Sequence, residues 1–407
     1  MFESTKGKSP FYPGQPVPVE FFTGRDKEIQ KIARAIREVE LGKPRSIFLT
    51  GEYGIGKSSL AGYMKYYAEK HNNLLGIYVL LGGASTIESL ATRTVESVLK
   101  NEYWEPSLTE KIRNFLSKYV GKQELFGIHI NFEALKADGP NLSRGFLPFL
   151  HELYKRLEKS GIKGIMLIFD EINGLAKTPE FSHFIKSLID ENALNRSPLP
   201  LLLMLCGVEE RRREMIRQHQ PIERIFDIVQ VQPMSKDEME EFFNKAFGSV
   251  AIKVNQNAMN LLCKYSAGFP KIMHIIGDAV FWIDRDNVVD INDAFQGILI
   301  AAEDIGKKFV DQQVYRALRS KDYHSILNKL GRANFDLAFK KKDIEEHLTS
   351  SERKKFNNFL QRMKKLKVIK SGDERGEYIF TNRLIRLYIL LNSIEQETKK
   401  IKNSKKS

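Results

Sequence analysis

Residues 51–58 have the residue types and the spacing of a loop that binds a chain of phosphate groups. In such a loop, backbone N–H groups point inward at phosphate oxygens, and the helix that follows adds its positive N-terminal end. Lys57 would reach the β- and γ-phosphates, and the Ser58 hydroxyl would bind Mg²⁺. The predicted nucleotide-binding residues here are Gly51, Glu52, Tyr53, Gly54, Ile55, Gly56, Lys57, Ser58 and Ser59.

A second group able to do chemistry is the acidic pair Asp170 and Glu171, which ends the apolar run at 165–169. In nucleotide hydrolysis the first acid holds Mg²⁺, through water, and the second polarises the attacking water molecule. We therefore predict that Asp170 and Ser58 are metal ligands and that Glu171 and Lys57 are catalytic. The alternative is a purely structural acidic turn.

The elements that must position these residues alternate between strands and helices. Apolar runs predict strands at 46–50, 75–81, 164–169, 201–205 and 228–231, with helical patterns between them. This alternation predicts an α/β fold with a parallel sheet and right-handed crossovers. A helix at 108–119 and a strand or small hairpin at 127–132 form a predicted insertion.

After Pro233 the pattern changes to helices alone, and the last hundred residues predict three helices, at 314–330, 341–348 and 351–366, followed by a two-stranded ribbon. That order is typical of a winged helix-turn-helix. We expect an extended arm at 1–20, a nucleotide-binding core at 21–234, a helical domain at 235–306, a winged helix at 307–394 and a disordered basic tail at 395–407.

The positive charge is concentrated at the C-terminus. Of the formal net charge of +13, residues 311–407 contribute +12. Such asymmetry favours an anionic partner, most often nucleic acid, although a solvated basic surface with a lysine-rich tail is the alternative. On the predicted helix at 351–366 the apolar residues form one stripe and the candidate DNA-binding residues lie mostly away from it: Lys354, Lys355, Arg362 and Lys365.

Composition excludes several other classes of protein. No run of about 18 apolar residues exists, so no membrane span is expected, and the N-terminus lacks the apolar stretch of a secretory signal. The two cysteines, Cys206 and Cys263, are far apart and fit neither a disulfide framework nor a cysteine-built zinc site. We expect a cytoplasmic protein.

Together these motifs resemble AAA+ ATPases, on the branch that includes the origin-recognition initiators and the STAND signalling ATPases. The segments at 9–14 (SPFYPG) and 22–25 (FTGR) resemble the entry segment of prokaryotic ATPases in this branch. The resemblance implies ATP and Mg²⁺ as cofactors. It also implies a P-loop core with an all-α lid, and recognition of the adenine base near Gly24 and Arg25.

The resemblance also implies residues that sense or complete the site. The segment AGFPK at 267–271 resembles the sensor 2 segment, with Pro270 and with Lys271 where arginine is usual. Cys206 stands where a polar sensor 1 residue is common, so we expect slow turnover. The best match to an arginine finger from a neighbouring subunit is Arg224, and the other candidates are Arg211, Arg212, Arg213 and Arg217. Alternatively these arginines form a solvated helix face.

Two functional hypotheses follow. In the first, a slow Mg-ATP switch forms homo-oligomers and engages duplex DNA through the basic winged helix. In the second, a STAND-like regulatory or defence ATPase gates a protein partner without tight DNA binding. ATP-dependent duplex binding with a steep salt dependence would distinguish the first from the second.

Overall fold

A computed structural model describes residues 6–100, 116, 142–333, 337–372 and 374–404. The chain divides into two compact units. The sheet unit is Pro16–Pro233, and the helical unit is Met1–Gln15 together with Met234–Ser407. The predicted helix at 108–119, apart from the buried Leu116, and the predicted hairpin at 127–132 lie outside the described residues.

The sheet unit contains a five-stranded sheet in the order β2-β3-β4-β1-β5, in which all neighbouring strands pair in parallel. Every residue of β3 and β4, two of the three inner strands, is buried, as expected for parallel strands covered on both faces. The predicted α/β fold is therefore confirmed. The strands are β1 Arg45–Thr50, β2 Leu74–Leu80, β3 Gly164–Asp170, β4 Leu201–Gly207 and β5 Asp227–Gln230.

Helices connect these strands, and their apolar side chains complete the core. Phe146, Phe149 and Phe181 on two of the helices are fully or almost fully buried with the sheet residues Phe48 and Phe169. The helices of this unit are α1 Asp26–Glu40, α2 Lys57–Asn72, α3 Ile87–Leu99, α4 Leu142–Glu158, α5 Pro179–Leu194 and α6 Glu209–Gln218.

The helical unit begins, after Met234, with the predicted helical domain. Its helices are α7 Lys236–Gly248, α8 Gln256–Ser266, α9 Pro270–Ile283 and α10 Ile291–Ile305, and a short parallel pair of strands joins them, β6 Lys253–Val254 and β7 Val288–Val289. Two of these helices begin with capping boxes at Ser235 and Asp290, which satisfy the free N–H groups of the first turn.

The N-terminal arm, predicted to be extended and near the adenine, packs in this same unit over residues 6–15. The Phe11 ring is almost fully buried and lies edge-on to Phe247, with ring centroids 4.9 Å apart. A Cβ atom added at Gly277 would lie 2.2 Å from the Phe11 ring, so only glycine allows this packing. Lys6 forms an ion pair of 2.7 Å with the buried Asp284.

The remaining residues contain the elements that the winged-helix prediction requires, with two differences. A π-helix, Gly306–Tyr315, and a break at 316–320 replace the start of the helix predicted at 314–330, and a third strand, β8, joins the predicted ribbon in an antiparallel sheet ordered β8-β10-β9. The elements are α11 Lys321–Arg332, β8 Ala338–Lys340, α12 Lys341–Glu345, α13 Ser350–Lys365, β9 Ile369–Ser371 and β10 Glu377–Phe380.

A last helix, α14 Arg383–Ser404, runs through most of the tail for which the sequence analysis predicts disorder. Its first turns are anchored by burial. Leu384 belongs to the core of the preceding helical domain, whereas Ile385 and Ile389 belong to the core formed by α11 and α13. The buried Arg386 donates to the carbonyl oxygen of Ala333 at 2.9 Å. No helix in the described ranges is both long enough and apolar enough to cross a bilayer.

Candidate nucleotide-binding site

The predicted phosphate-binding loop and the acidic pair lie at the carboxyl edge of the sheet. The loop follows β1, the acidic pair ends β3, and β4 lies between these two strands. Because all the strands are parallel and Thr50 pairs with Gly207, their carboxyl ends meet at one edge. The sheet therefore brings together the two groups that are about 115 residues apart in the sequence.

The loop ends in a turn that only glycine adopts easily. Gly56 has φ +97° and is the N-cap of α2, which begins at Lys57. The Lys57 ammonium donates to the carbonyl oxygens of Gly51 at 2.9 Å and Glu52 at 2.8 Å, and thus crosses its own loop. Burial lowers the pKa of Lys57, against the opposing effect of nearby anionic groups. A phosphate chain would supply the negative charge that this half-buried cation lacks.

Asp170 is 2% exposed, and both of its carboxylate oxygens accept hydrogen bonds. Oδ1 accepts from the backbone N–H of Glu171 at 2.8 Å, and Oδ2 accepts from the Tyr78 hydroxyl at 2.6 Å. The Tyr78 hydroxyl also lies 3.4 Å from the carbonyl oxygen of Ser58. Burial, followed by the Asp170 charge, raises the pKa of Tyr78, so this hydroxyl is a donor at neutral pH.

Tyr78 is not among the residues predicted from the sequence, although strand alternation places it on the face that meets the acidic strand. The parallel register pairs Leu80 with Asp170, so Tyr78, two residues earlier, lies on the same face of the sheet as that pair. Tyr78 joins the loop helix to the acidic strand and fixes the orientation of the carboxylate.

Glu171 has φ +56° and an exposed side chain beyond the end of β3. Its carboxylate lies over the turn after β2, where a Cβ added at Gly82 would lie 2.2 Å from Glu171 Oε2. Arg93 holds this turn by donating to the carbonyl oxygens of Leu80 at 2.7 Å and Gly82 at 2.9 Å. The neighbouring turn thus leaves room for the predicted water-polarising carboxylate.

Cys206, at the predicted sensor 1 position, is the next-to-last residue of β4, the strand between β1 and β3, and is fully buried. Burial raises the pKa of the Cys206 thiol well above its usual value, so the group remains a neutral thiol. A thiol is a weak hydrogen-bond donor and acceptor. It is a poor group for orienting a water molecule.

The entry segment is fixed to the loop by Arg25. This residue has φ +72°, is 5% exposed, and donates to the carbonyl oxygens of Gln232 and of Ile55, the latter at 2.9 Å. Phe22 stacks on Tyr63 of α2 at 4.6 Å, and the N–H of Val17 donates to Ser59 Oγ at 3.3 Å. The Arg25 side chain is committed to these carbonyl groups, so base recognition here would rest on backbone and apolar contacts.

The residues present fit Mg²⁺ with nucleotide. In the described part of the chain, no cluster of three acidic, histidine or cysteine side chains could hold a metal ion. Mg²⁺ usually keeps several waters and binds through one or two protein oxygens plus substrate phosphates. The Ser58 hydroxyl and the buried Asp170 carboxylate are the residues that would provide that oxygen set.

The arginine candidates differ in their surroundings. Arg211, Arg212 and Arg213 on α6 form ion pairs with glutamates of the same helix. Arg224 precedes β5 and lines a pocket with Arg45 and Asp227, the first residues of β1 and β5. It therefore lies at the amino edge of the sheet, away from the loop of its own chain.

Lys271 and Pro270, the predicted sensor 2 residues, belong to the helical unit. Pro270 is the first residue of α9, and the segment before it turns through Ala267 and Gly268, both with positive φ. The backbone N–H of Met234 donates to the carbonyl oxygen of Gly268 at 2.9 Å, which fixes this turn against the start of the unit. Lys271 is exposed at the first turn of α9.

The predicted DNA-binding residues all lie on α13. Lys354, Lys355, Arg362 and Lys365 are exposed, whereas the apolar stripe of the helix is buried. Lys355 forms an ion pair of 2.6 Å with Asp322. The other three form no ion pair within the described ranges, so the free positive charge follows one line along the helix.

Comparison with known proteins agrees with this geometry. Residues 22–213 match the family model described as AAA ATPase domain. No curated protein matches the chain.

Three solved archaeal structures share the fold over nearly the whole chain. The Walker-type ATPase PABY2304 of Pyrococcus abyssi is 17% identical, with 91% of this chain and 96% of that chain covered and a TM-score of 0.54. The ORC2 protein of Aeropyrum pernix, solved as ADPNP-ADP complexes, is 10% identical, with 96% and 97% covered and a TM-score of 0.58. Cdc6p of Pyrobaculum aerophilum is 10% identical, with 95% and 98% covered and a TM-score of 0.50.

Proposed function

We propose that the chain binds Mg-ATP, hydrolyses it slowly and uses the ATP or ADP state to control binding to duplex DNA, and the match of residues 22–213 to the AAA ATPase domain model supports the nucleotide part. The observation that carries the nucleotide part is the convergence of Lys57, Ser58 and the Asp170–Glu171 pair at one edge of the sheet. Lys57 and the loop N–H groups would bind the phosphates, and Glu171 would polarise water.

Slow turnover follows from two features of this site. The neutral, buried Cys206 thiol offers little to orient a water molecule. Arg224 lies at the opposite edge of the sheet, so it would complete the site only of a neighbouring copy of the chain. We therefore propose a homo-oligomer in which Arg224 acts in trans and hydrolysis depends on assembly.

The oligomer proposal has its own test. ATPase activity per chain should rise with protein concentration, and an Arg224→Ala chain should be inactive alone. Mixing Arg224→Ala chains with Lys57→Ala chains should restore part of the activity, because some interfaces combine an intact loop with an intact arginine. Equal activity per chain at all concentrations contradicts this arrangement.

For the DNA part, we propose that residues 307–394 form a winged helix whose exposed line on α13 faces the groove. The observation that supports it is that Lys354, Arg362 and Lys365 are exposed above a buried apolar stripe and form no ion pair in the part of the chain that the structure describes. Phosphate contacts by such a line give affinity that falls steeply with salt.

Fluorescence anisotropy of a labelled duplex tests this part, with ATP, ADP or no nucleotide over a salt series. We expect binding that depends on ATP and is lost in Lys354→Glu/Arg362→Glu. The matched control is Lys27→Glu/Lys31→Glu, which reverses two exposed charges on α1 of the sheet unit. Absence of binding at low salt by folded, ATP-bound protein would reject the DNA proposal.

The second candidate is an ATPase that gates a protein partner. It is favoured by two apolar side chains one turn apart on α10, Ile291 and Phe295, which are 49% and 51% exposed. Exposed apolar clusters are typical of protein contacts. In this case Phe295→Asp would abolish partner capture and leave the duplex assay unchanged.

A further inference from the structure

A basic pocket of about 530 Å³ lies between α13 and the residues that precede α11. Its charged side chains are three arginines, Arg316, Arg319 and Arg362, and its other lining residues are Ala317, Ser320, Tyr323 and Asn358. No carboxylate is among these lining residues. The sequence analysis found Arg362 alone, because Arg316 and Arg319 lie in a stretch predicted to be plain helix.

Buried contacts fix the position of the two additional arginines. The segment that carries them is anchored by Val314 and Leu318, which are fully or almost fully buried in the core with α11 and α13. Tyr323 of α11 lies edge-on to Phe359 of α13, with ring centroids 5.7 Å apart. The arginines are therefore carried on a backbone that is packed against the helix bearing Arg362.

The charge in the pocket is uncompensated. Within the described ranges, Arg316, Arg319 and Arg362 form no ion pair with a carboxylate. The acid at the start of α11, Asp322, is already bound by Lys355 at 2.6 Å and by the Ser351 hydroxyl at 2.9 Å. Three guanidinium groups around one pocket repel each other unless an anion lies between them.

The pocket is continuous with the exposed cationic line of α13. Lys354, Asn358, Arg362 and Lys365 follow one another at spacings of four, four and three residues, which places them within one side of a helix. Asn358 and Arg362 of this line also line the pocket. An extended polyanion that follows the helix would therefore reach the pocket as well.

We propose that this pocket binds backbone phosphates of duplex DNA on the flank of the groove that α13 faces. The inference rests on the proposed DNA function and deepens it, since it assigns Arg316 and Arg319 to the interface. Guanidinium groups present paired donors that match the oxygens of a phosphate. Contacts of this kind fix the register of the protein on the duplex and carry no base preference.

The test compares Arg316→Ala/Arg319→Ala with Arg196→Ala/Arg285→Ala in the full chain. The control removes two exposed arginines outside the pocket. Duplex affinity is measured by anisotropy over a salt series, on two unrelated sequences. The pocket variant should bind both sequences roughly 10-fold more weakly at 0.1 M salt. The slope of the logarithm of the association constant against the logarithm of salt concentration should become less negative by about 2.

The outcomes separate the inference from the function on which it rests. If wild-type protein binds duplex and the pocket variant binds with the same affinity and salt slope as the control, the pocket assignment is wrong and the DNA function stands. A loss confined to one sequence also overturns it, because it indicates base readout. If wild-type protein does not bind duplex, both proposals fail. Arg319→Gln alone, with an expected slope change of about 1, provides a milder variant.

Discussion

Substitution of Arg25 tests whether its side chain supports the phosphate-binding loop or recognises the base. The resemblance implies that this residue lies near the adenine, but its guanidinium bridges the carbonyl oxygens of Ile55, in the phosphate-binding loop, and Gln232, beyond the edge strand. We predict that Arg25→Ala destabilises the sheet unit and lowers the affinity for all nucleotides by a similar factor. The reason is that the loop loses its hydrogen-bonded link to the segment after β5.

The expected magnitude follows from these two contacts. A hydrogen bond from a charged donor contributes about 1.5–3 kcal/mol, and a buried acceptor that loses its donor adds a desolvation cost. Since the side chain of Arg25 is nearly inaccessible to solvent, we expect a loss of about 3 kcal/mol or more in the free energy of unfolding. Arg25→Lys should recover part of it, because a single ammonium lacks the planar fork.

Urea unfolding of the full chain measures the loss, and equilibrium binding of ATP and GTP measures the selectivity. The control is Arg34→Ala, which removes an 81% exposed side chain with a 3.6 Å ion pair to Glu38 and should change stability by less than about 0.5 kcal/mol. An Arg25→Ala protein of wild-type stability that loses its preference for ATP over GTP would refute this reasoning.

Three further predictions concern groups that the structure brings together. Tyr78→Phe removes the hydroxyl donor to the buried carboxylate and should cost about 1.5–3 kcal/mol in urea unfolding, whereas Tyr66→Phe at an exposed site should be neutral. Phe11→Ala should lower the free energy of unfolding by about 3–5 kcal/mol and speed hydrogen exchange in α7 and α9. Phe295→Ala, at a half-exposed site, should have neither effect. Burial lowers the pKa of His274 to about 4 from 6.5. As the pH falls, His274 is therefore protonated in the unfolded chain before it is protonated in the folded chain. The free energy of unfolding should fall by about 1 kcal/mol from pH 7 to 5.5. This slope should shrink in His274→Gln.

The parts of the site that the sequence could predict are those with local causes. The loop at 51–58 needs its glycines and its lysine at fixed spacing, and the acidic pair at 170–171 ends a continuous apolar strand. The order of strands and helices follows from the same periodicity. These features depend on neighbours in the chain, so one sequence contains the information for them.

The missed features depend on pairing between distant segments. Tyr78 reaches Asp170 through the register of β2 on β3, and Phe11 reaches a core whose other residues begin more than 220 residues further along the chain. The helix at 383–404 was not predicted as one element, and its end, from residue 395, was predicted as a disordered tail, because the residues that anchor its first turns face two different cores. A periodicity read from one sequence does not say which partner an apolar face will find.

The same helix has a consequence for how a nucleotide signal would travel. Leu384 packs in the core of the helical domain, and Tyr388, one turn later, packs in the C-terminal core and donates from its hydroxyl to Asp311 at 2.9 Å. A Cβ at Gly306 would lie 2.2 Å from the Tyr388 ring, so the connecting helix also packs closely against it. Residues 234–394 are thus joined by packing on both sides of one helix. If the nucleotide shifts this helical domain, as proposed, the shared packing on α14 would carry the basic α13 with it.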